Sequence, residues 1–243
     1  MDGFRLLSAG DTALVVEFGD RIDRRLNARV LALARHLNEA KIDGLIETVP
    51  TFRSLMVQFD PLVLPLTTLA AHVADLAKRP EPAEELGRSW TLPVCYDTIL
   101  APDLEEVAGR LNLSPAQVVE RHSATIYHVY MLGFLPGQAY MGDLPGELVL
   151  PRRETPRQRI PAGSVAIAMS MTCIFPMETP CGWHLIGRSP VPLFEPLPVP
   201  QPLLAPGDKV RFAPISQREY ENVAAKIADG TFRPHPETSR AAA

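Results

Sequence analysis

The chain has 243 residues, 46% hydrophobic and 21% charged, with a formal net charge of −4. This length allows one large domain or two modest ones, the composition excludes a largely disordered protein, and the charge excludes a nucleic-acid partner held by phosphate neutralisation. No apolar run reaches the roughly 18 residues of a membrane span, and the N-terminus lacks a basic segment followed by an apolar signal core. Cys95, Cys173 and Cys181 are odd in number and form no C-x-x-C pair, which disfavours a disulfide framework and a zinc site. A cytoplasmic location is expected.

In chain order, Phe4 to Phe18 read as strand, turn and strand around Gly10-Asp11. After Asp20, Ile22, Leu26, Val30, Leu33 and Leu37 recur at helical steps and predict a helix ending near Ala40. Strands are predicted at 45–49 and 54–59. In the second, Leu55, Val57 and Phe59 share one face. A second amphipathic helix follows over 66–78. The order ββαββα predicts an α+β sandwich with both helices on one face of an antiparallel sheet. RPEPAEELG, residues 79–87, reads as a linker with a boundary near residue 85.

The second domain opens with a strand at 90–96 and a helical signal at 103–111. Ser114-Pro115-Ala116-Gln117 combines a capping serine, a proline at the first helical position and a glutamine at the capping-box position, and starts a helix that runs to His122. From Ala124 onward, short apolar runs between Gly/Pro corners predict a small β-barrel or sandwich. A last strand at 209–214 and a helix capped by Ser216 and Glu219 complete the domain, and 233–243 are expected to fray.

The chemistry concentrates between His122 and Pro190. Gly133-Phe134-Leu135-Pro136-Gly137 and Pro180-Cys181-Gly182-Trp183 are either ordinary barrel corners or backbone cradles whose bare amides hold a carboxylate or oxyanion. Arg152, Arg153, Arg157 and Arg159 lie among prolines. They form either a solvated loop or guanidinium groups aimed at an anionic substrate. Arg188, at the end of an apolar strand, pairs with a substrate anion or with a structural carboxylate. His122 is the best acid/base candidate. Histidines at a helix end also serve the helix dipole, and His128 and His184 read as satisfied strand histidines. Ser123 and Ser164 are conceivable nucleophiles, but no G-x-S-x-G elbow is present. The Walker loop and the G-x-G-x-x-G fingerprint are absent.

GFLPGQAYMGDLP (133–145), PRRETPRQRIPAGSVAIA (151–168) and CGWHLIGRSP (181–190) resemble the KipI/PxpB family. These are allophanate hydrolase subunit 1-like proteins, mostly assigned as the B subunit of ATP-dependent 5-oxoprolinase and related to half of the carboxyltransferase domain of urea amidolyase. The resemblance implies a ferredoxin-like α+β domain over 1–85 followed by a mainly β, cyclophilin-like barrel over 86–232. It implies ATP consumption, a PxpC/KipA-like partner subunit and a third, PxpA-like one. It also implies opening of the 5-oxo-L-proline lactam to glutamate, or cleavage of allophanate or another urea derivative. Gly133, Gly137, Tyr140, Arg157, Arg159, Ser164, Trp183, His184 and Arg188 become candidate substrate- or anion-binding residues, with no metal. A family member that inhibits a sporulation histidine kinase supplies a regulatory alternative, and the barrel fold alone suggests a prolyl isomerase.

The chain departs from the family pattern at identifiable positions. Gln138 replaces a phenylalanine and Asp143 a glycine. Met169, Met171 and Cys173 stand in a run that reads A-G-x-Q-T-G-I-Y in the family, and Cys181 replaces a glycine. These changes are expected to narrow the pocket and alter its hydrogen bonding.

Overall fold

The structure, a computed structural model, describes residues 3–79, 87–195 and 201–237. The chain separates into two compact units, Met1–Leu86 and Gly87–Ala243. Most of the linker RPEPAEELG, residues 80–86, and the tail at 238–243 lie outside the described residues.

The first unit contains β1 (Arg5–Ser8), β2 (Ala13–Glu17), α1 (Arg24–Ala40), β3 (Leu45–Pro50), β4 (Ser54–Phe59) and α2 (Leu66–Leu76). Its antiparallel sheet has the order β1-β2-β4-β3. The alternation read in β4 holds, since Leu55, Val57 and Phe59 are buried against Leu33, Leu37, Leu69 and Val73 of the two helices. Asp23, not Asp20, caps α1, with its Oδ1 accepting from the Arg25 and Leu26 amides at 2.8 and 3.2 Å. Ile22 therefore lies before the helix and is exposed.

The second unit contains β5 (Ser89–Cys95), α3 (Leu104–Arg110), α4 (Pro115–Ala124), β6 (Tyr127–Leu132), β7 (Ala139–Gly142), β8 (Arg157–Ile160), β9 (Ser164–Ala168) and β10 (Met171–Ile174). After these come β11 (Thr179–Cys181), β12 (His184–Arg188), β13 (Phe194–Glu195), β14 (Gln201–Pro202), β15 (Lys209–Ile215) and α5 (Gln217–Ala228). Seven strands close a barrel in the order β10-β7-β6-β15-β5-β12-β9. The β15–β5 pair is parallel. Both predicted capping boxes form, at Ser114/Gln117 and Ser216/Glu219. The Glu237 amide donates to the Ser89 carbonyl at 2.8 Å, so the described end of the tail is tied to β5.

Strand alternation sorts the barrel residues into two layers. Trp90, Leu92, Val94, Met141, Val165, Ile167, Ile174, Ile186, Val210 and Phe212 belong to the interior cluster. Ala166, Ala168, Cys173 and Leu185 point the other way from the same wall. They pack with Ile160, Cys181 and Trp183 in a second, outer cluster. The outer cluster takes its cover from the two-stranded β8–β11 ribbon. β9 is consequently buried at every position, which explains its apolar run Val165–Ala168 after Ser164.

The expectation of a ferredoxin-like domain followed by a cyclophilin-like barrel is corrected. A ferredoxin-like chain runs βαββαβ, whereas the first unit runs ββαββα. The hairpin turn at Gly10, with φ +68°, places β1 at the sheet edge ahead of the first helix. The barrel has seven strands and a mixed sheet, because β15 enters alongside β5 in the same direction. Among the described residues no helix is long and apolar enough to cross a membrane.

Candidate functional site

Both glycine corners meet at one cleft on the outer layer of the barrel. It encloses about 130 Å³ and is lined by Phe134 from the first corner, Gln138 just before β7, Tyr140 within it, Arg152, Phe175, and the whole second corner from Pro180 to Trp183. The first corner folds on itself. The Gly133 amide donates to the Gln138 carbonyl at 3.1 Å, the Leu135 amide to Gly133 at 2.9 Å and the Gln138 amide to Leu135 at 3.0 Å. These three amides are spent inside the turn. Gly137 has φ +77°, and a Cβ there would stand 2.7 Å from the Leu193 carbonyl oxygen, so glycine is required by both conformation and space.

Aromatic rings form the walls. Trp183 meets Tyr140 edge to face at 6.1 Å and Phe175 at 6.4 Å. The Arg152 guanidinium lies 6.0 Å from the centroid of the Trp183 ring. Burial pushes the Tyr140 phenol upward, and it does the same to the Cys181 thiol. The Cys181 sulfur accepts the Trp183 amide at 3.1 Å, which fixes the second corner. Gln138 is almost fully buried, and its Oε1 has no hydrogen-bond partner.

The other candidates are held elsewhere. Arg157 makes a two-pronged ion pair with Asp103, and Arg153 joins the same carboxylate at 3.2 Å. Arg159 is 78% exposed and pairs with Glu178 at 3.0 Å. The Arg188 Nε donates to the Ala162 carbonyl at 2.9 Å, a partner that neither reading of this residue anticipated. The Ser164 hydroxyl donates to the Pro161 carbonyl at 2.7 Å. His184 is fully buried, and its Nε2 donates to the Pro151 carbonyl at 3.0 Å. Desolvation lowers its pKa.

His122 is corrected from acid/base candidate to core residue. It has no exposed surface, stacks on Phe212 at 4.7 Å, and uses both ring nitrogens. The Thr172 hydroxyl donates to the Ala166 carbonyl, so it accepts the proton of His122 Nε2 at 2.9 Å. Nδ1 therefore accepts from the Tyr96 hydroxyl at 2.8 Å. Desolvation lowers its pKa to about 3 and keeps the ring neutral.

Of the sequence-derived set, Trp183, Tyr140 and the glycine corners come together, and the charged members do not. Among the four clustered arginines the structure sets Arg152 in the cleft, a choice that position within an arginine run does not show. Phe175 gave a weak signal, as an aromatic at the end of an apolar strand. Two departures from the family pattern, Gln138 and Cys181, line the cleft, whereas Cys173 is buried in the wall behind it. Asp143 and Met169 adopt left-handed φ values of +69° and +53°, a region that glycine enters most easily.

An outer-layer cleft on a closed barrel, preceded by a ββαββα unit, occurs here in a chain whose residues 4–204 match the family of carboxyltransferase domain, subdomain C and D, and the chain belongs to that family. Within it, the 5-oxoprolinase B subunit of Bacillus subtilis is 39% identical over 228 residues, covering 89% of this chain and 95% of the relative. The crystal structure of TTHA0988 superposes with a TM-score of 0.76 at 38% identity, covering 84% of this chain and 40% of that one. The present chain thus spans about two-fifths of it. K. lactis urea amidolyase shares the fold with a TM-score of 0.78 at 20% identity, over 96% of this chain and 16% of that chain. The fold common to these proteins replaces the ferredoxin-like and cyclophilin-like description.

Proposed function

We propose that this chain is the B subunit of an ATP-dependent 5-oxoprolinase, inactive alone and working with PxpC/KipA-like and PxpA-like subunits. The reaction consumes 5-oxo-L-proline, ATP and water and yields L-glutamate, ADP and phosphate. The observation that carries this reading is the near end-to-end match, at 39% identity, to a protein named as that subunit. The aromatic cleft supports it, since about 130 Å³ walled by Tyr140, Phe175 and Trp183 and lined by the Arg152 cation suits a small anionic ligand. None of the described residues is assigned to ATP.

The test is co-expression with the two other subunits and measurement of ATP hydrolysis with and without 5-oxo-L-proline. Hydrolysis stimulated by 5-oxo-L-proline, with glutamate formed in step and none from the chain alone, is the expected result. A stable complex that hydrolyses no ATP in response to 5-oxo-L-proline overturns the reading.

A further inference from the structure

We propose that the chain forms a two-fold dimer in which the free edge of β1 pairs with β1 of a second copy, centred on Leu7. The inference is independent of the 5-oxoprolinase reading, because it concerns the first unit alone.

β1 and β3 are the two edges of the first sheet. Sheet edges carry unpaired amides and carbonyls, which native proteins protect from stray pairing. β3 has that protection, since a bulge between Leu45 and Glu47, the Glu47 charge and Pro50 interrupt it. β1 has little. It reads Arg-Leu-Leu-Ser, pairs with β2 without a register shift and exposes all four residues, Leu6 at 38% and Leu7 at 42%. The Ala9 amide donates to the Ala13 carbonyl at 2.9 Å, which phases the ladder. Arg5 and Leu7 therefore bond to β2, and the amides and carbonyls of Leu6 and Ser8 point outward.

The same register decides which second strand fits. Leu7, Val15, Met56 and Val49 lie side by side across the four strands, on the face opposite to Val16, Leu55 and Val57, which pack on the helices. A two-fold axis through Leu7 keeps like faces together. Leu7 then meets its own copy and the apolar row continues through both sheets, while Leu6 stands opposite Ser8 of the second copy and their outward backbone groups bond reciprocally. Charge agrees with this register. Glu17 holds both Arg5 and Arg53, so the edge keeps a surplus cation, and the axis brings Arg5 beside the exposed hairpin turn of the second copy, which carries Asp11. The row and the charge are both self-complementary, as an isologous interface requires.

The test is sedimentation equilibrium of the full chain combined with disulfide trapping. The mass should rise from 26.7 kDa toward twice that value as concentration is raised to about 100 μM, since a short edge pairing is a weak association. Leu7→Lys sets two like charges at the axis, and Ser8→Pro removes an outward amide. Both should stay monomeric and melt as the dilute parent does, since neither touches a bond between β1 and β2. Cys95, Cys173 and Cys181 are buried, so a cysteine introduced at Leu7 or Ile46 supplies an accessible thiol. Under mild oxidation Leu7→Cys should link to its own copy, because directly opposed residues lie at a spacing that a disulfide spans. Ile46→Cys, on the protected β3 edge, should remain unlinked. A parent that stays monomeric over this range overturns the proposal. So does a dimer that survives both Leu7→Lys and Ser8→Pro, or trapping at Ile46 as fast as at Leu7.

Discussion

Asp103 and Arg157 face each other in a two-pronged ion pair, Oδ2 to Nη1 at 2.8 Å and Oδ1 to Nη2 at 2.5 Å. Asp103 is buried just before α3, and its Oδ2 also accepts the Leu185 amide of β12 at 2.7 Å, while its own amide donates to the Leu185 carbonyl at 3.0 Å. One carboxylate thus joins α3, β12 and the β8–β11 ribbon that covers the outer cluster. Asp103→Ala leaves the Leu185 amide and the Arg157 guanidinium without their acceptor, while Arg153 keeps Glu106 at 3.1 Å, and is expected to destabilise by roughly 3–5 kcal/mol. Arg157→Ala, which leaves Arg153 on the carboxylate, should cost about 1–3 kcal/mol. Urea unfolding followed by the fluorescence of Trp90 and Trp183, both in the second unit, measures these losses. An Asp103→Ala protein within about 1 kcal/mol of the parent would contradict the clamp.

His122 makes stability depend on pH in a defined direction. Its folded pKa is lowered from 6.5 to about 3, so between those values the unfolded chain binds a proton that the folded chain refuses. The contribution is complete above about pH 6.5 and is lost progressively as pH falls toward 3. Urea midpoints should decline over this window, and His122→Gln should decline less steeply. Tyr96→Phe, which leaves Nδ1 without a donor, should cost about 1–3 kcal/mol at neutral pH. An NMR titration in which the His122 ring protonates between pH 6 and 7 would rule out this account.

Two left-handed positions beside the site should respond in opposite ways. Gly137→Ala places a methyl group against Leu193 at a φ of +77°, with an expected loss of roughly 1–3 kcal/mol. Met169, half-exposed at φ +53°, already bears the cost of a side chain in that region. Met169→Gly should leave stability unchanged or raise it by up to about 1 kcal/mol. Thermal melts of both variants decide the matter, and a clear loss on Met169→Gly would refute it.

Arg159 and Arg188 serve as controls on the cleft. Arg159 forms an exposed ion pair, and Arg188 spends its Nε on a backbone carbonyl. Arg159→Ala should leave both melting temperature and 5-oxo-L-proline-stimulated ATP hydrolysis at parent levels. Trp183→Ala, which removes a cleft wall, should raise the KM for 5-oxo-L-proline at least about tenfold. Equal kinetics for the two variants would argue against the cleft as the site.

Much of the local structure was legible in the chain. The β4 alternation, the helical steps of α1 and both capping boxes are set by residues within a few positions of one another, where backbone geometry leaves few options. The first glycine corner also stood out, because the left-handed φ of Gly137 restricts residue choice locally. Composition, periodicity and three motif segments therefore determined the ββαββα order of the first unit, the crowding of chemistry into His122–Pro190 and the family resemblance. The partners of the charged groups were decided by tertiary structure alone. Arg157 reaches Asp103 across 54 residues, and His122 reaches Thr172 across 50. Nothing local distinguishes an arginine that binds a ligand from one that meets a buried carboxylate, because the outcome depends on which strands close the barrel and which ribbon covers its wall. The same closure turns Gln138 and Arg152 toward one cleft, a juxtaposition that no spacing in the sequence encodes.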